Sequence, residues 1–202
     1  EKNRQTKLLN GLKRKEKNYK NDIDKKQKLS NQLNKEIEKL IKEAIKESNK
    51  NSTKNVFTLT PEAKLTAKNF LSNKGNLPWP VERGVIIQRF GLQPHPVVRT
   101  TKIQSNGIVI ATTKNASVRS VFNGVVLSVL KFKSSNLTVL IQHGNYITAY
   151  KNLASVFVEK GQKVSSLESI GITFDNDETK TTLQFSIFEN TKALDPYLWI
   201  AK

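Results

Sequence analysis

Hydrophobic positions in the first 50 residues recur at alternating steps of three and four residues. Neither Gly nor Pro interrupts residues 12–50. Such spacing keeps one stripe along a helix and is typical of a coiled coil. We therefore predict a coiled-coil helix over residues 1–50, belonging to a longer coiled coil with a partner strand; a single solvated helix is the alternative. The positions of the series are Leu9, Leu12, Glu16, Tyr19, Ile23, Lys26, Ser30, Leu33, Ile37, Leu40 and Ala44.

A linker and a short second helix are predicted over residues 51–76. Residues 48–56 are polar and aperiodic, as in a linker. Thr60 is suited to cap a helix, Pro61 to occupy its first position, and Gly75 to end it. Its apolar residues share one face, which must pack against something, and the following domain is the nearest candidate. These residues are Ala63, Ala67, Phe70 and Leu71.

From residue 77 onward the pattern changes from helical periodicity to short alternating runs. Gly, Asn and Ser separate these runs, as expected for half-buried antiparallel strands. The predicted strands cover residues 85–90, 107–111, 117–122, 124–130, 137–142, 146–150 and 182–188. We therefore predict an all-β domain, an antiparallel sheet with a groove, over residues 77–202, which is large enough for its own core.

Composition narrows the function classes without selecting one. The chain has 202 residues with 34 basic and 17 acidic side chains, and residues 1–50 hold 16 of the basic and 8 of the acidic ones. A net charge of +17 attracts polyanions of any kind. Cysteine is absent, which excludes disulfides and thiolate chemistry. No apolar run is long enough for a transmembrane helix. Because Met is also absent, we expect sequence upstream of Glu1, including any signal peptide.

Several segments of the β domain follow one another in a characteristic order. Residues 105–110 stand where an HxGxD-type motif would stand, and residues 118–126 resemble V-x-A-x-x-G-x-V. Residues 143–153 resemble HG-x-x-x-T-x-Y-x-HL, and residues 182–187 stand at the place of HLHFEI. The further matching segments are 77–81, 84, 90–91, 94–97, 158–164, 170–171 and 194–199. In this order the domain resembles the M23 (LytM-type) metallopeptidases, and with its preceding helices it resembles EnvC-like murein hydrolase activators.

The resemblance implies that the zinc chemistry of active members is lost here. Active members bind zinc through a His, an Asp four residues later and the second His of an HxH motif. The corresponding residues are Ser105, Val109 and Gln184, while two further catalytic His positions hold Thr182 and Asn152. Zinc catalysis needs three protein ligands and an open position, and a valine cannot ligate a metal. We therefore expect no cofactor, no metal and no catalysis.

Two other functions of the β domain find little support in the sequence: a metal site built from histidines, and a carrier domain with a modified lysine. His95 and His143 are the only histidines, and both lie outside the implied ligand set, as loop or turn residues with hydrogen-bond partners. The run from Gly124 to Gly171 resembles lipoyl and biotinyl carrier domains in strand topology only. The lysines at 114, 131 and 151 lack the sequence context of a modified lysine.

A groove without its metal can still bind a helix. We expect it to be lined by Ser105, Asn106, Val109, Tyr150, Asn152, Gln184 and Phe188. The resemblance implies that an N-acetylmuramyl-L-alanine amidase docks a helix there and is thereby activated. It also implies that an ABC-transporter-like division complex in the inner membrane pulls the coiled coil. The helix at 61–73 could then act as an autoinhibitory arm across the groove.

Two alternatives to the activator hypothesis remain. The first is an active zinc-dependent cell-wall endopeptidase with an atypical site. The second is a nucleic-acid binder, which should interleave aromatic residues with Lys and Arg, whereas aromatics make up only 7% of the chain. The activator hypothesis implies a periplasmic location, with peptidoglycan as a further possible contact and neither nucleic acid nor a membrane span.

Overall fold

A computed structural model describes residues 2–49, 56–95, 98, 100–131, 136–175 and 180–202. Two helices precede the strands: α1 (Lys2–Ser48) and α2 (Pro61–Ser72). The strands are β1 (Val85–Gln88), β2 (Gly91–Pro94), β3 (Lys102–Ser105), β4 (Ile108–Ala111), β5 (Ser117–Arg119), β6 (Gly124–Lys131), β7 (Leu137–His143), β8 (Tyr146–Val156), β9 (Lys163–Val164), β10 (Ser169–Thr173), β11 (Thr182–Glu189) and β12 (Lys192–Leu194). A single 3-10 turn, Pro196–Leu198, follows. None of the described helices is both long and apolar enough to cross a membrane.

The β domain is one large antiparallel sheet with a small accessory hairpin. The main sheet has the strand order β1-β4-β11-β8-β7-β6-β9, with β10 paired to β5 and β8, and β12 paired to β11. Strands β2 and β3 form the hairpin. All seven strands predicted from alternation are present, whereas β2, β3, β9, β10 and β12 were not anticipated.

The central strands separate two apolar cores, one on each face of the sheet. Side chains alternate between faces along a strand, so neighbours in β8 and β11 belong to different cores. The larger core contains Tyr150, Leu183, Phe185 and Ile187 on one face. The second core contains Leu140, Ile147, Ala149 and Phe188 on the other face, which we call the α1 face.

Helix α1 covers the α1 face with only its C-terminal half. Leu33, Ile37, Ile41 and Ile45 are buried in the second core, at the four-residue spacing of a helix that lies on a sheet. Leu8, Leu9, Leu12 and Tyr19 in the N-terminal half are exposed. Part of the stripe that predicted a coiled coil therefore packs on the chain's own sheet. A coiled coil of the N-terminal half stays a prediction.

Helix α2 packs on the opposite side of the molecule from α1. The hydroxyl of Thr60 accepts a hydrogen bond from the amide of Ala63, which confirms the predicted cap. Phe70 is fully buried in the larger core, and Ala67 lies at its edge beside the turn that joins β7 to β8. Leu71 is half exposed, so it does not belong to the packed face as expected.

Candidate functional site

Two of the positions that resemble zinc ligands, Val109 and Gln184, lie in a row of side chains across three neighbouring strands. Gln184 of β11 is in register with Val109 of β4 on one side and with Lys151 of β8 on the other. Residues in register on antiparallel strands place their side chains on the same face of a sheet. Ser105 ends β3 beside this row. The structure places Ser105, Val109 and Gln184 around one cavity.

A cavity of about 410 Å³ separates this row from helix α1. The groove side of the cavity includes Ser105, Asn106, Val109, Lys151, Gln184 and Ser186. The helix side includes Tyr19, Asp22, Ile23, Lys26, Gln27, Ser30 and Asn34. Two hydrogen bonds join the two sides: Gln27 Nε2 donates to the carbonyl of Gln104 at 2.9 Å, and Lys151 Nζ donates to Asn34 Oδ1 at 3.0 Å. The helix therefore roofs the groove.

The side chains at this place do not fit a zinc ion. Val109 has no donor atom, and Gln184 offers only a neutral amide. The hydroxyl of Ser105 is engaged with the backbone of its own turn, donating to the carbonyl of Gly107 at 2.8 Å. Among the described residues there is no group of three or more His, Cys, Asp or Glu side chains that could hold a metal. The donor set here supports no metal-activated water.

Asn152 and Thr182, at the two further catalytic positions of the resemblance, bond to each other. Asn152 Nδ2 donates to the carbonyl oxygen of Thr182 at 2.6 Å, and Asn152 Oδ1 accepts from Asn136 at 2.6 Å. Asn152 has a φ of +75°, a left-handed conformation that asparagine tolerates better than most residues. The pair ties β8 to β11 at the end of the row. Neither residue lines the cavity under α1.

Besides Asn152, the expected groove residues Tyr150 and Phe188 do not line the cavity. Tyr150 is not in the groove: it is fully buried in the larger core on the opposite face, and its hydroxyl accepts a hydrogen bond from the amide of Val121 at 2.9 Å. It lies one residue from Lys151, so the alternation of β8 sends the two side chains to opposite faces. Phe188 does lie on the α1 face, but within the apolar core beneath the helix.

The helix predicted to cover the groove is also different from the one that does. Phe70 of α2 stacks on His143 and Tyr146 and packs against Trp199, all in the larger core. None of Ala63, Ala67, Phe70 and Leu71 lines the cavity, whereas seven residues of α1 do. The expectation of an arm at 61–73 is thus wrong in its placement, because α2 satisfies its apolar face on the far side of the sheet.

Both histidines have hydrogen-bond partners, as expected for loop and turn residues. His143 is fully buried, with Nδ1 2.7 Å from the carbonyl oxygen of Asn123 and Nε2 2.9 Å from Thr148 Oγ1. Burial lowers the pKa of His143 to about 4. His95 Nδ1 accepts from the amide of Val98 at 3.2 Å, and His95 borders the cavity near its hairpin.

Lys151 is the residue of the groove that sequence reasoning did not place there. Lys151 is 5% exposed and lies under α1. It is part of the groove floor, between its register partners Gln184 and Thr138. Burial lowers the pKa of its ammonium group to about 8. Sequence alone shows a lysine between Tyr150 and Asn152 in an alternating strand, where it is expected to face solvent. The helix that buries Lys151 comes from more than 100 residues away.

Comparison with known proteins agrees with this architecture. Residues 103–196 match the model of peptidase family M23. A curated relative, the peptidoglycan DD-endopeptidase ShyA of Vibrio cholerae, is 36% identical over 80 residues. That match covers 39% of this chain and 18% of the relative, so the chain spans about a fifth of the length of the relative.

Solved structures show the same fold. A zinc-containing peptidase from Vibrio cholerae superposes with a TM-score of 0.54 at 25% identity, over 64% of this chain and 41% of that one. A chain of the SpoIIQ–SpoIIIAH pore-forming complex gives 0.54 at 23% identity, over 64% of this chain and 93% of that one. Csd3 of Helicobacter pylori gives 0.53 at 20%, over 64% and 36%. The predicted fold class, an antiparallel LytM/M23-type sheet preceded by two helices, is confirmed.

Proposed function

We propose that this chain, which carries a peptidase M23 domain, is a non-catalytic regulator that binds a helix of a protein partner in its former active-site groove. The observation that supports this proposal most directly is that helix α1 covers the groove. Helix α1 packs on the α1 face beside the groove with its apolar residues Leu33, Ile37 and Ile41, and it covers the cavity of the groove with mostly polar ones. A groove that accepts one amphipathic helix has the shape and chemistry to accept another.

The partner in this proposal is a cell-wall N-acetylmuramyl-L-alanine amidase, as the resemblance to EnvC-like activators implies. The M23 fold is known in a protein assembly, since one structural neighbour is part of the SpoIIQ–SpoIIIAH complex. The curated relative acts on peptidoglycan by name. These likenesses favour a place in the bacterial periplasm, where the amidase and its peptidoglycan substrate would be met.

Autoinhibition in this proposal comes from α1 rather than from α2. The N-terminal half of α1 leaves Leu8, Leu9, Leu12 and Tyr19 exposed and is the segment that a division-associated membrane complex could hold. Pulling on this half would lift the C-terminal half from the sheet. Such a mechanism is a population shift between closed and open states, so the closed contacts must be modest.

A single charged substitution under the roof tests the proposal. Ile37 is fully buried against the sheet, and Ile37→Asp should release α1 because a buried, unpaired carboxylate is strongly unfavourable. We expect amidase activity on purified sacculi, measured with the cognate amidase, to rise at least tenfold over the native chain. Leu8→Asp is the matched control: the same change on the same helix at a residue 69% exposed should leave activation unchanged.

Near-ultraviolet circular dichroism establishes that the β domain of the Ile37→Asp variant is folded. If that folded variant activates no better than Leu8→Asp, α1 is not the inhibitory element. If neither the variant nor the native chain binds the amidase, the partner assignment is wrong.

A zinc-dependent endopeptidase with an atypical site is the second candidate function, because the chain is similar to a DD-endopeptidase. Metal analysis of the purified chain, together with digestion of sacculi by the chain alone, separates the two. Bound zinc and digestion together would replace the regulator proposal, whereas we expect neither.

A further inference from the structure

A lone ammonium group lies at the centre of the roofed groove. Lys151 ends the run of buried positions 146–151 in β8 and donates one hydrogen bond, to the neutral side chain of Asn34 on α1. The described salt bridges are all at the surface, and none of them includes Lys151. A buried cation with a neutral partner is costly unless something of opposite charge replaces that partner.

The cavity around Lys151 contains little negative charge. Asp22 is the one carboxylate among the described residues that line it. It lies twelve residues before Asn34, roughly 18 Å along the axis of α1. The charged groups of the remaining lining are basic: Lys26 on the helix and Lys151 on the sheet. The cavity thus offers a carboxylate a positive environment and supplies none of its own near Lys151.

Two hydroxyl groups next to Lys151 lack partners in the described structure. Ser186 Oγ is 1% exposed and lines the cavity, and Thr138 Oγ1 is equally buried. Thr138 is the register partner of Lys151 on β7, and Ser186 lies two positions beyond its register partner on β11. Such diagonal neighbours are separated by about 7–8 Å between Cα atoms, within reach of a long side chain. Buried polar atoms normally have partners, so these two hydroxyls point to a missing acceptor.

We propose that Lys151 is the receptor for an Asp or Glu carboxylate on the partner helix, and that Asn34 holds this position in the closed state as a neutral placeholder. The inference rests on the proposed function, because it assigns a specificity-determining residue to the same groove. Ser186, on the floor of the cavity, is placed to donate its unused hydroxyl hydrogen to the second carboxylate oxygen.

In the open state, a carboxylate of the partner replaces the Asn34 amide at Lys151, and this exchange stabilises the open state relative to the closed one. A carboxylate adds to the hydrogen bond with the ammonium group the attraction between opposite charges, which is stronger inside a protein than in water. The closed state therefore keeps its contact with Lys151 weak, while an acidic partner gains a stronger one at the same place. A helix without the acidic residue would have to displace α1 on apolar contacts alone, which α1 already makes with Leu33, Ile37 and Ile41.

The chemistry of the partner follows from the residues that it must replace. Its docking helix should carry apolar residues at four-residue spacing, like Leu33, Ile37 and Ile41, with one acidic residue directly after the first of them, at the place of Asn34. The basic character of this chain, with a net charge of +17, favours such an acidic helix in the encounter as well.

The receptor role can be tested within the chain by supplying the carboxylate from α1 itself. Asn34→Asp should place an acidic group on Lys151 and slow the hydrogen exchange of α1 backbone amides at 33–45 by about 10- to 100-fold at pH 7. The matched control is Asn31→Asp, which makes the same charge change at an exposed position one turn earlier. It should change the exchange rate by less than twofold.

A second substitution shows whether Lys151 is responsible. In the Lys151→Met background, Asn34→Asp should lose its slowing effect and accelerate exchange instead, because the buried carboxylate then has no cation. Equal effects of Asn34→Asp in both backgrounds, or equal effects of the aspartates at 34 and 31, would overturn the proposal. These variants require no amidase, so this result is independent of the activation assay.

Synthetic peptides extend the test to an incoming helix. Two peptides with the sequence of residues 30–45, one with Asn and one with Asp at position 34, are added to the native chain. The Asp peptide should accelerate exchange of α1 at a concentration at least tenfold lower than the Asn peptide. With the Lys151→Met chain the two peptides should act equally. A preference for the Asp peptide that survives in this variant would assign the carboxylate to another group.

Discussion

Two basic side chains are buried on opposite faces of the sheet, His143 and Lys151, and they differ in their charge and in their hydrogen-bond partners. His143 has two hydrogen-bond partners and packs against the rings of Phe70 and Phe122, and it is neutral at pH 7 because burial lowers its pKa to about 4. Lys151 has one neutral partner and a pKa lowered to about 8, so it stays mostly charged at pH 7. The histidine is a satisfied core residue. The lysine retains a buried charge that the closed state does not use.

The cost of burying Lys151 predicts a specific dependence of stability on pH. Because its pKa is about 8 in the folded chain and 10.5 when unfolded, the unfolded state binds more protons between these values, and stability rises with pH across this window. Below pH 8 the full penalty, about 3 kcal/mol, applies. Lys151→Met should therefore be more stable than the native chain at pH 7, and the gap should close by about pH 10.5.

Denaturant unfolding at pH 7, 9 and 10.5 measures this difference. Comparing the two proteins at each pH cancels the titration of other groups, including Tyr146 and Tyr150, whose pKa values burial raises. A gap that stays constant over the range would mean that Lys151 carries no burial penalty.

At the scale of elements, the two helices have exchanged the roles that their sequences suggested. Helix α2 was expected to lie across the groove, yet Phe70 is fixed among Phe122, His143, Tyr146 and Trp199 on the far face. Helix α1 was expected to reach for a partner strand, yet its C-terminal half lies on the groove. An apolar face predicts that a helix packs but does not identify the surface on which it packs.

Truncation of Phe70 should therefore damage the fold rather than release the groove. We expect Phe70→Ala to lower the free energy of unfolding by about 3–5 kcal/mol, because it leaves a cavity in an aromatic cluster. Leu71→Ala is the matched control and should change stability by about 0.5 kcal/mol or less, since Leu71 is 50% exposed. Thermal and denaturant unfolding measure both. A loss of less than about 1 kcal/mol for Phe70→Ala would show that α2 is only loosely attached, as an arm would be.

At the scale of the whole molecule, the chain consists of a β domain of the LytM/M23-type fold and a long helix, whose C-terminal half packs on the sheet and whose N-terminal half is largely exposed. The last turn of α1 is tied down by Asn49, whose side-chain oxygen accepts from the amide of Thr58 at 3.0 Å, and by Phe57, which is buried in the second core. In the N-terminal half, Leu8, Leu9, Leu12 and Tyr19 are exposed. Force applied to this half would reach the roof directly, because α1 is a continuous helix.

This arrangement predicts two levels of protection within a single helix. Backbone amides at 33–45 should exchange slowly with solvent, while those at 4–18 should exchange at least tenfold faster, because isolated helical segments of this length are marginal in water. Hydrogen exchange with mass spectrometry measures the exchange rates of both segments, at two protein concentrations that differ about 10-fold. Equal and concentration-independent protection of the two halves would contradict this division of α1.

The sequence alone determined the central strands and the start of α2. It also showed that the groove lacks a metal ligand at Val109. Alternation over 124–131 and 137–143 fixed the central strands, and Thr60 with Pro61 fixed the start of α2, because these signals arise from neighbouring residues. The identity of Val109 was sufficient to exclude a metal ligand at that position.

Only the tertiary structure decided which helix roofs the groove and which charge lies beneath it. Both helices carry an apolar face, and the choice between the two faces of one sheet depends on complementary packing with residues up to 150 positions away. Lys151 reads locally as an exposed strand residue, and it becomes the centre of the site because Asn34 and the apolar residues beside it close over it. Burial is a property of non-local contacts, and therefore no local pattern could reveal it.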